Sequence, residues 1–339
     1  MPPLPRDDLD HVLDHTRELW EELRGQRIFI TGGTGFFGCW LLETFAFANA
    51  QLCLNAHALV LTRDAGAFRK KMPHLTTDAA IEFHEGDVRD FAFPPCKVSH
   101  VIHAATTSSA PVEPLEMFDT ILAGTRRVLD FAVKSDAKKF LLTSSGAVYG
   151  KQPPDMTHIP ETYAGTPDPC DPNSAYGEGK RAAELLCAMY AQKHGIETKI
   201  ARCFAFVGPH LPLDAHFAIG NFIRDALAGG PIIVKNGAPY RSYLYAADLA
   251  IWLWTILIKG EKSRPYNVGS DESKTIAEFA DIVARKLQLG KKARHEQEGL
   301  PFTRYVPSVD RAEKELNLPL RVSLSEAILK TARWHSQLP

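Results

Sequence analysis

The sequence predicts an α/β fold: a doubly wound parallel sheet with a smaller C-terminal α/β lobe. Two observations carry this prediction. Strand and helix patterns alternate from Arg27 onward, and the strand segments are near-continuous apolar runs. Such runs are expected of strands buried on both faces of a parallel sheet, and repeated β–α alternation favours a doubly wound arrangement. The final third departs from this pattern, which predicts a second, smaller lobe.

The predicted elements follow in chain order. Apolar residues near helical spacing predict an amphipathic helix over 7–24, packed on the outside of the domain. Strands are predicted at 27–31, 57–62, 80–86, 99–105, 139–145 and 197–206, with helices at 114–134 and 174–194. The final third contains a strand at 265–270 and helices at 275–289 and 324–335. The chain is therefore divided into the helix 7–24, a sheet domain over 25–205 plus about 240–258, and a second lobe over 206–239 and 259–336.

Composition limits the class of protein. The chain has 339 residues, of which 45% are hydrophobic and 23% charged, so it is globular and long enough for two lobes. A formal net charge of -1 predicts no affinity for nucleic acid or an acidic membrane surface. Six scattered cysteines without a CxxC pair favour reduced cytosolic thiols, and the histidines show no metal-binding spacing.

No segment of the sequence resembles a targeting or membrane-spanning element. The N-terminus lacks the apolar core of a signal peptide, and the apolar window 249–258 is too short to span a bilayer. That window is predicted to be a core helix. We therefore expect a soluble, cytoplasmic protein without a metal site.

A glycine-rich loop follows the first predicted strand. Gly32, Gly35 and Gly38 have the spacing GxxGxxG, and a helix opens directly after them. The first glycine suits a tight turn, the second lets the backbone approach a pyrophosphate, and the third permits close packing of the helix. The helix N-terminus then favours the phosphates. The sheet domain is therefore predicted to be a Rossmann-type dinucleotide-binding domain, and the second lobe a substrate lobe.

The end of the second predicted strand bears on which dinucleotide binds. Thr62 ends that strand, and Arg63 and Asp64 follow it. A carboxylate at the strand end binds a ribose 2′-hydroxyl, whereas an arginine accommodates a 2′-phosphate. Arg63 therefore favours NADP, while Asp64 keeps NAD open. Asp87, after the third strand, is placed either to hydrogen-bond an adenine amino group or to serve only as a turn residue.

Tyr176 and Lys180 carry the predicted proton-transfer chemistry. Their i,i+4 spacing puts both side chains on one face of a helix. A phenol titrates at about 10, but a fixed ammonium and the positive charge of an oxidised nicotinamide would lower that pKa. The pair would then act as a general acid/base for an alcohol or carbonyl undergoing hydride transfer.

Taken together, the motifs resemble an extended short-chain dehydrogenase/reductase of the nucleotide-sugar epimerase/dehydratase group. The resemblance covers nearly everything from about residue 25 to 335. It implies an NAD(P)-dependent enzyme that acts on a nucleotide-diphosphate sugar. The segments that carry it are TGGTGFFG (31–38), GDV (86–88), HAA (103–105), SSGAVYG (144–150), YGEGK (176–180), RCFAFVGP (202–209), RSYLYAADLA (241–250) and YNVGS (266–270).

The resemblance also implies roles for single residues. Ser145, Tyr176 and Lys180 would be the catalytic hydroxyl, the acid/base and the supporting cation. Arg241 would clamp the nucleotide diphosphate, a role that suits bidentate arginine chemistry. The other implied cofactor contacts are Gly32, Gly35, Phe36, Phe37, Gly38, Thr62, Arg63, Asp87, Val88, Ala104 and Ala105. The other implied substrate contacts are Thr106, Gly146, Ala147, Ala205 and Asn221, with Thr107, Ser108, His216 and Phe217 as further candidates.

The family resemblance extends to assembly. Helices 114–134 and 174–194 resemble those that build a four-helix dimer interface in the family. A homodimer is therefore implied.

One departure from the family pattern narrows the reaction. Family dehydratases place Asp and Glu where this chain has Gly146 and Ala147, because eliminating water needs both a base and an acid. Sugar-acid decarboxylases of this group usually carry Glu at the second of these positions. Elimination and decarboxylation are therefore disfavoured here unless Glu113, Glu116 or Glu161 supplies the carboxylate.

A second departure concerns the substrate. Ala205 stands where relatives commonly have an asparagine that contacts the sugar nucleotide, so those contacts differ here. A reaction that needs only a hydride and one proton remains, either a 4-epimerase or a 4-ketoreductase with Tyr176 as acid/base. The NADP signal favours the reductase, and family frequency favours the epimerase. The alternatives are a 4,6-dehydratase that takes a carboxylate from elsewhere and a non-catalytic NAD(P)-binding regulator.

Overall fold

The computed structural model describes residues 1–106, 112–215, 217–287, 293–295 and 302–338. Its strands are β1 (Arg27–Thr31), β2 (His57–Thr62), β3 (Ile81–Glu85), β4 (His100–His103), β5 (Lys139–Ser145), β6 (Glu197–Cys203), β7 (Phe206–Val207), β8 (Ile233–Val234), β9 (Tyr240–Arg241), β10 (Leu244–Tyr245), β11 (Pro265–Val268), β12 (Lys274–Thr275) and β13 (Arg294–His295).

The helices alternate with the strands over much of the chain. They are α1 (Arg6–Thr16), α2 (Phe36–Gln51), α3 (Ala65–Lys71), α4 (Pro73–Thr76), α5 (Pro114–Lys134), α6 (Ala175–His194), α7 (Ala218–Leu227), α8 (Ala246–Lys259), α9 (Ile276–Lys286), α10 (Asp310–Leu316) and α11 (Leu324–His335). Short 3-10 segments at Arg17–Leu23, Gly146–Tyr149 and Pro172–Ser174 complete the regular structure of the described residues.

Seven strands form one parallel sheet in the order β3-β2-β1-β4-β5-β6-β11. The chain winds outward from β1 to β3 and then returns to the other side of β1 with β4. Ligands of open α/β sheets bind beyond the carboxyl ends of the strands at such a reversal. The predicted doubly wound fold is confirmed, and the reversal lies between β1 and β4, where the glycine loop begins.

Side-chain alternation along the strands builds a core on each face of the sheet. In β1, Ile28 and Ile30 belong to the core that includes α2 and α8, whereas Phe29 belongs to the core under α5 and α6. Helix α8 is buried from Ala246 to Ile258, as expected of the core helix predicted at 249–258. Among the described residues, no helix combines the length and apolar character needed to cross a bilayer.

Strand β6 is shorter than the sequence predicted. It ends at Cys203, which pairs with Ser145, the last residue of β5. Beyond that pair β5 offers no further partner, and Phe206–Val207 pairs with Leu244–Tyr245 instead. An apolar run in the sequence does not show where the neighbouring strands stop pairing. The predicted strand over 197–206 was therefore too long.

The N-terminal segment is built into the core. The predicted helix over 7–24 is α1 followed by a 3-10 segment, and Trp20 in that segment is 1% exposed. The Trp20 ring packs on Trp254 of α8 with 4.7 Å between centroids, and its indole N–H donates to Thr16 Oγ1 at 2.9 Å. The prediction that this segment packs on the outside of the domain therefore understated how much of it is buried.

Replacing Trp20 by alanine tests this contribution to stability. We expect Trp20→Ala to lower the free energy of unfolding by about 3–5 kcal/mol, because it leaves a large cavity against Trp254. Urea unfolding followed by circular dichroism measures the change. Leu227→Ala, at a side chain 42% exposed on α7, is the control and should cost less than about 1 kcal/mol. Equal effects of the two variants would contradict a buried N-terminal segment.

Candidate active site

The glycine loop is set by close backbone approach. Gly32 has φ +71°, and a Cβ there would lie 2.5 Å from the carbonyl carbon and oxygen of Ala104. A Cβ on Gly38 would collide with the Gly32 carbonyl oxygen and with Gly33. Gly33, which the sequence analysis did not single out, is also closely packed, because its Cβ would lie 2.6 Å from Val60 Cγ1, a side-chain atom on β2. The loop therefore lies against β2 and against Ala104, which follows β4.

The outer side of the same loop suits an anion. A Cβ on Gly35 would meet the Gly32 carbonyl oxygen only at 3.4 Å, the closest described atom. Helix α2 begins at Phe36 without a side-chain cap, so its first N–H groups are available for a phosphate. The residues present thus fit a dinucleotide pyrophosphate at this helix N-terminus.

The polar residues at the end of β2 differ in role: one side chain caps a helix and another is exposed. Asp64 caps α3, since its Oδ1 accepts the Ala67 N–H at 2.7 Å. Arg63 is exposed beside it. Lys71, at the end of α3, directs its Nζ to the Thr34 carbonyl oxygen of the glycine loop at 3.4 Å. Sequence reasoning missed Lys71, because no local pattern indicates that α3 folds back onto this loop.

Asp87 lies close to Arg63 but has its own partner. Arg89 donates its Nε to Asp87 Oδ1 at 2.8 Å and one Nη to Oδ2 at 3.0 Å. These bonds hold the pKa of Asp87 below its usual value. Val88 packs toward α5, where a Cβ on Gly124 would lie 3.0 Å from its Cγ1. Asp87 is therefore an ionised group at the sheet edge, fixed in place by Arg89.

His103 is a structural residue beneath this site. Its Nδ1 lies 2.7 Å from Thr31 Oγ1, and its Nε2 lies 3.1 Å from Thr125 Oγ1. Burial lowers the pKa of His103 to about 3, and the nearby Lys180 charge acts in the same direction. The neutral ring thus links β1, β4 and α5. Thr31 also accepts the Ala105 N–H at 3.2 Å, which fixes the chain just after β4.

Ser145, Tyr176 and Lys180 meet at the carboxyl edge of the sheet. Lys180 is 2% exposed, donates to the Thr143 carbonyl oxygen at 2.8 Å, and has its Nζ 5.9 Å from the Tyr176 ring centroid. Burial lowers the pKa of Lys180 to about 8. Ser145 ends β5, and its Oγ accepts the Ala147 N–H at 3.1 Å. The structure therefore brings together the three residues that the resemblance implied.

Burial is the main influence on the pKa of the Tyr176 phenol in the protein without a dinucleotide. It raises the pKa of Tyr176 to about 12, while the hydrogen bond with Ser145 acts in the opposite direction. The predicted lowering relied on Lys180 together with an oxidised nicotinamide. The Lys180 charge is partly satisfied by the Thr143 carbonyl, so the hydroxyl of Ser145 is the direct neighbour that stabilises a phenolate.

The space above Gly146 is filled by two aromatic side chains. A Cβ on Gly146 would lie 2.7 Å from Cε1 and Cζ of Phe204 and 2.7 Å from the Tyr305 hydroxyl oxygen. The two rings pack with 4.7 Å between centroids, and Tyr305 Oη lies 3.4 Å from Ser145 Oγ. Sequence reasoning missed Tyr305, because its loop has no motif and lies far along the chain.

A second polar network lies behind the candidate catalytic edge, the end of the sheet where Ser145, Tyr176 and Lys180 meet. Arg202 donates Nη2 to Glu184 at 2.7 Å, and Ser144 donates to the same carboxylate at 2.5 Å. Arg202 Nη1 donates to the Tyr149 hydroxyl at 2.9 Å, which in turn donates to Asn267 Oδ1 at 2.7 Å. Tyr149 packs beside the site, and this network joins β5, α6, β6 and β11.

Arg241, the predicted diphosphate clamp, lies on β9 close to this edge of the sheet. Its guanidinium donates to the Tyr240 carbonyl oxygen at 2.8 Å, and burial lowers its pKa. It lies near enough to Tyr305 that its charge lowers the pKa of that phenol against the effect of burial. The cation is thus close to the catalytic edge and keeps further donors for an anion.

The remaining substrate candidates are less closely tied to the catalytic edge. Thr106 Oγ1 is buried and has no hydrogen-bond partner among the described residues, as expected of a hydroxyl that meets a ligand. Asn221, on α7, accepts from Arg224 at 3.2 Å. Ala205 is partly buried, and its carbonyl accepts the Leu244 N–H at 3.0 Å. Phe217 immediately precedes α7, and three candidates, Thr107, Ser108 and His216, lie outside the described residues.

Comparisons with solved structures support the fold. The UDP-N-acetylglucosamine 4-epimerase of Methanobrevibacter ruminantium aligns over 92% of this chain and 99% of its own, with TM-score 0.78 and 19% identity. The NAD complex of the UDP-glucose 4-epimerase of Thermus thermophilus aligns over 92% and 99%, with TM-score 0.74 and 24% identity. At these identities the likeness concerns the fold.

Comparisons of sequence identify the family. The UDP-glucuronic acid decarboxylase 6 of Arabidopsis thaliana is 30% identical over 89% of this chain and 86% of its own. The UDP-glucuronic acid decarboxylase 1 of Danio rerio is 29% identical over 92% of this chain and 73% of its own. Residues 28–269, from β1 through the end of β11, match the model of one family. The chain therefore belongs to the NAD dependent epimerase/dehydratase family.

Proposed function

We propose that this protein is an NAD(P)-dependent enzyme that changes the oxidation state or configuration of one sugar carbon of a nucleotide-diphosphate sugar. The preferred reactions are 4-epimerisation and 4-ketoreduction. One observation carries the choice: Ser145, Tyr176 and Lys180 are assembled at the sheet edge, while Gly146 and Ala147 provide no carboxylate beside them. Hydride chemistry needs one acid/base group, and Tyr176 supplies it.

The roles of the residues follow from their positions. A nicotinamide dinucleotide on the glycine loop would supply hydride transfer, with Gly32, Gly35 and the start of α2 at its pyrophosphate. Tyr176 would accept the proton of the sugar hydroxyl during oxidation and return it during reduction. Ser145 would hydrogen-bond the same sugar oxygen, and the buried Lys180 would favour the phenolate.

Of the three carboxylates that could replace an Asp-Glu pair, two have structural partners elsewhere and the third is exposed. Glu113 caps α5, because its Oε2 accepts the N–H groups of Leu115 and Glu116. Glu161 accepts the Asn267 N–H at 2.8 Å and lies behind Tyr149 rather than beside Ser145. Glu116 is exposed on the first turn of α5. These positions support a reaction without elimination or loss of carbon dioxide.

A second candidate is decarboxylation of a sugar acid. It is favoured by the names of the curated relatives, which are UDP-glucuronic acid decarboxylases at 29–32% identity. Ala147 opposes it, because an alanine cannot take the place of the glutamate that such enzymes usually carry there. The nature of the product separates the two candidates.

The test is to incubate the protein and NAD or NADPH with UDP-, dTDP-, CDP- and GDP-hexoses, their 4-keto forms, and UDP-glucuronic acid. We expect mass spectrometry and NMR to show an epimer or a reduced 4-keto sugar, with turnover lowered at least about 100-fold by Tyr176→Phe. Tyr190→Phe, elsewhere on α6, is the matched control and should keep full turnover. A 4-keto-6-deoxy product would establish the dehydratase instead, and loss of carbon dioxide the decarboxylase. Turnover unaffected by Tyr176→Phe would refute the acid/base assignment.

We further propose NADP as the preferred dinucleotide. Arg63 is exposed at the end of β2, while Asp64 is occupied as the cap of α3 and Asp87 is paired with Arg89. Arg63 is therefore the charged group available to contact a substituent on the ribose. The substituent that suits a guanidinium is a 2′-phosphate. Lys71 beside the glycine loop adds a second positive charge.

Calorimetric titration of Arg63→Gln tests this preference. We expect the affinity for NADPH to fall about 10-fold or more while that for NADH changes less than about 3-fold, because a charge-assisted bond to phosphate is lost. Arg69→Gln, an exposed arginine on α3, controls for a general loss of charge and should affect both equally. A wild-type protein that binds NADH more tightly than NADPH would contradict the proposal.

We also propose that the protein forms a homodimer through α5 and α6 and works in the cytoplasm. Three apolar side chains on these neighbouring helices are exposed: Leu115 at 73%, Leu185 at 62% and Met189 at 54%. Leu185 and Met189 are four residues apart and share a helix face. A second copy presenting the same face would cover all three.

All six cysteines are free, which supports a reducing compartment.

Light scattering after size-exclusion chromatography measures the assembly. We expect a dimer for the wild type and a monomer for the double variant Leu185→Glu, Met189→Glu, because burying two carboxylates in an apolar interface is unfavourable. Leu329→Glu, at an apolar residue 40% exposed on α11, should leave the dimer intact. A wild-type monomer, or a dimer in the double variant, would exclude this interface.

A further inference from the structure

Tyr305 is the residue at the catalytic edge whose role the family motifs leave open. Its hydroxyl lies 3.4 Å from Ser145 Oγ, although 160 residues separate the two along the chain. Its ring packs on Phe204 with 4.7 Å between centroids. Ser145 therefore faces two phenols, since its hydroxyl is also near enough to Tyr176 to act against the rise in the pKa of that phenol.

The position of Tyr305 is fixed through its backbone on two sides. Its N–H donates to the Tyr240 carbonyl oxygen at 3.1 Å, and the Tyr240 N–H donates to Thr303 at 2.7 Å. The next residue, Val306, is fully buried and donates its N–H to Gln152 Oε1 at 3.0 Å. Contacts with two separate segments therefore hold the phenol where it meets Ser145.

A count of the hydrogen-bonding capacity of Ser145 shows what this contact does. A serine hydroxyl has one proton to donate and two acceptor sites. The Ala147 N–H occupies one acceptor site at 3.1 Å. If Tyr305 donates to the second, both acceptor sites are filled and the proton of Ser145 points to another acceptor. The acceptor on its other side is Tyr176.

The burial of Tyr305 supports that direction of donation. Burial raises the pKa of the Tyr305 phenol, so its hydroxyl keeps a proton to donate at neutral pH. The other titratable and charged groups that face Tyr176 and Tyr305 are Lys180 on α6, Cys203 at the end of β6 and Arg241 on β9.

We propose that Tyr305 is a positioning residue: its hydroxyl donates to Ser145 and so directs the single proton of Ser145 to the Tyr176 oxygen in the sugar-free enzyme and to the sugar oxygen when a sugar is bound. The proposal rests on the proposed acid/base role of Tyr176. It also explains Gly146, because any Cβ at that position would push the Tyr305 hydroxyl or the Phe204 ring away. The missing side chain at position 146 and the phenol at position 305 are then two parts of one arrangement.

A titration of the Tyr176 phenol tests the proposed role of Tyr305 directly, and the measurement needs no turnover. With saturating oxidised dinucleotide, whose positive charge brings the phenol into the measurable range, tyrosinate absorbance is titrated in the wild type and Tyr305→Phe. The contribution of Tyr176 is the part lost in Tyr176→Phe. We expect its titration to move upward by about one pH unit in Tyr305→Phe, because Ser145 no longer donates reliably to the phenolate. Gly146→Ala should move it in the same direction by displacing the Tyr305 hydroxyl.

Tyr266→Phe is the matched control. Tyr266 is also buried, and its hydroxyl binds Glu315 and the Glu261 N–H at the far edge of the sheet. Its removal should leave the Tyr176 titration unmoved. An unmoved titration in Tyr305→Phe, with dinucleotide affinity and circular dichroism unchanged, would overturn the proposal.

A double-mutant cycle gives the second measurement once a substrate is known. We expect Tyr305→Phe to lower kcat about 10-fold with KM changed less than about 3-fold, and to have no further effect in a Ser145→Ala background. Independent, multiplying effects would overturn the proposal. Failure to find a turned-over sugar nucleotide concerns the proposed function alone, because the titration still reports on Tyr305.

Discussion

The candidate catalytic edge depends on a nearly buried ion pair behind it. Arg202 on β6 binds Glu184 through two nitrogens, and Glu184 lies one turn beyond Lys180 on α6. The same carboxylate accepts a hydrogen bond from Ser144, the neighbour of Ser145. Breaking a buried pair leaves an uncompensated charge, which costs about 3–5 kcal/mol. The pair therefore holds the strand that ends in Ser145 against the helix that carries Tyr176 and Lys180.

The chemistry at that edge is determined as much by filled volume as by the groups present. Phe204 and Tyr305 occupy the space next to Gly146, so no larger side chain fits there without a shift. The arrangement provides a hydroxyl, a phenol and an ammonium, and positions 146 and 147 carry no carboxylate. It differs in this respect from what the names of the curated relatives suggest, and shared fold alone does not determine the reaction.

Much of the fold and the centre of the site were predictable because their signals are local. Strand runs, the glycine spacing and the i,i+4 pair of Tyr176 and Lys180 all lie within a few neighbouring residues. The end of β6 was not predictable, since it depends on where β5 stops pairing. Nor was the enclosure of Trp20, because amphipathic spacing does not reveal which helix covers the apolar face.

The sequence by itself determined the family and the doubly wound sheet and predicted the residues proposed to move a proton, because each is encoded by short-range spacing. Only the tertiary structure decided what surrounds them. It buried Tyr176 enough to raise the pKa of its phenol to about 12, paired Asp87 with Arg89, and placed Tyr305 beside Ser145. The physical reason is distance along the chain: Tyr305 reaches Ser145 across 160 residues, through backbone contacts that no local pattern records.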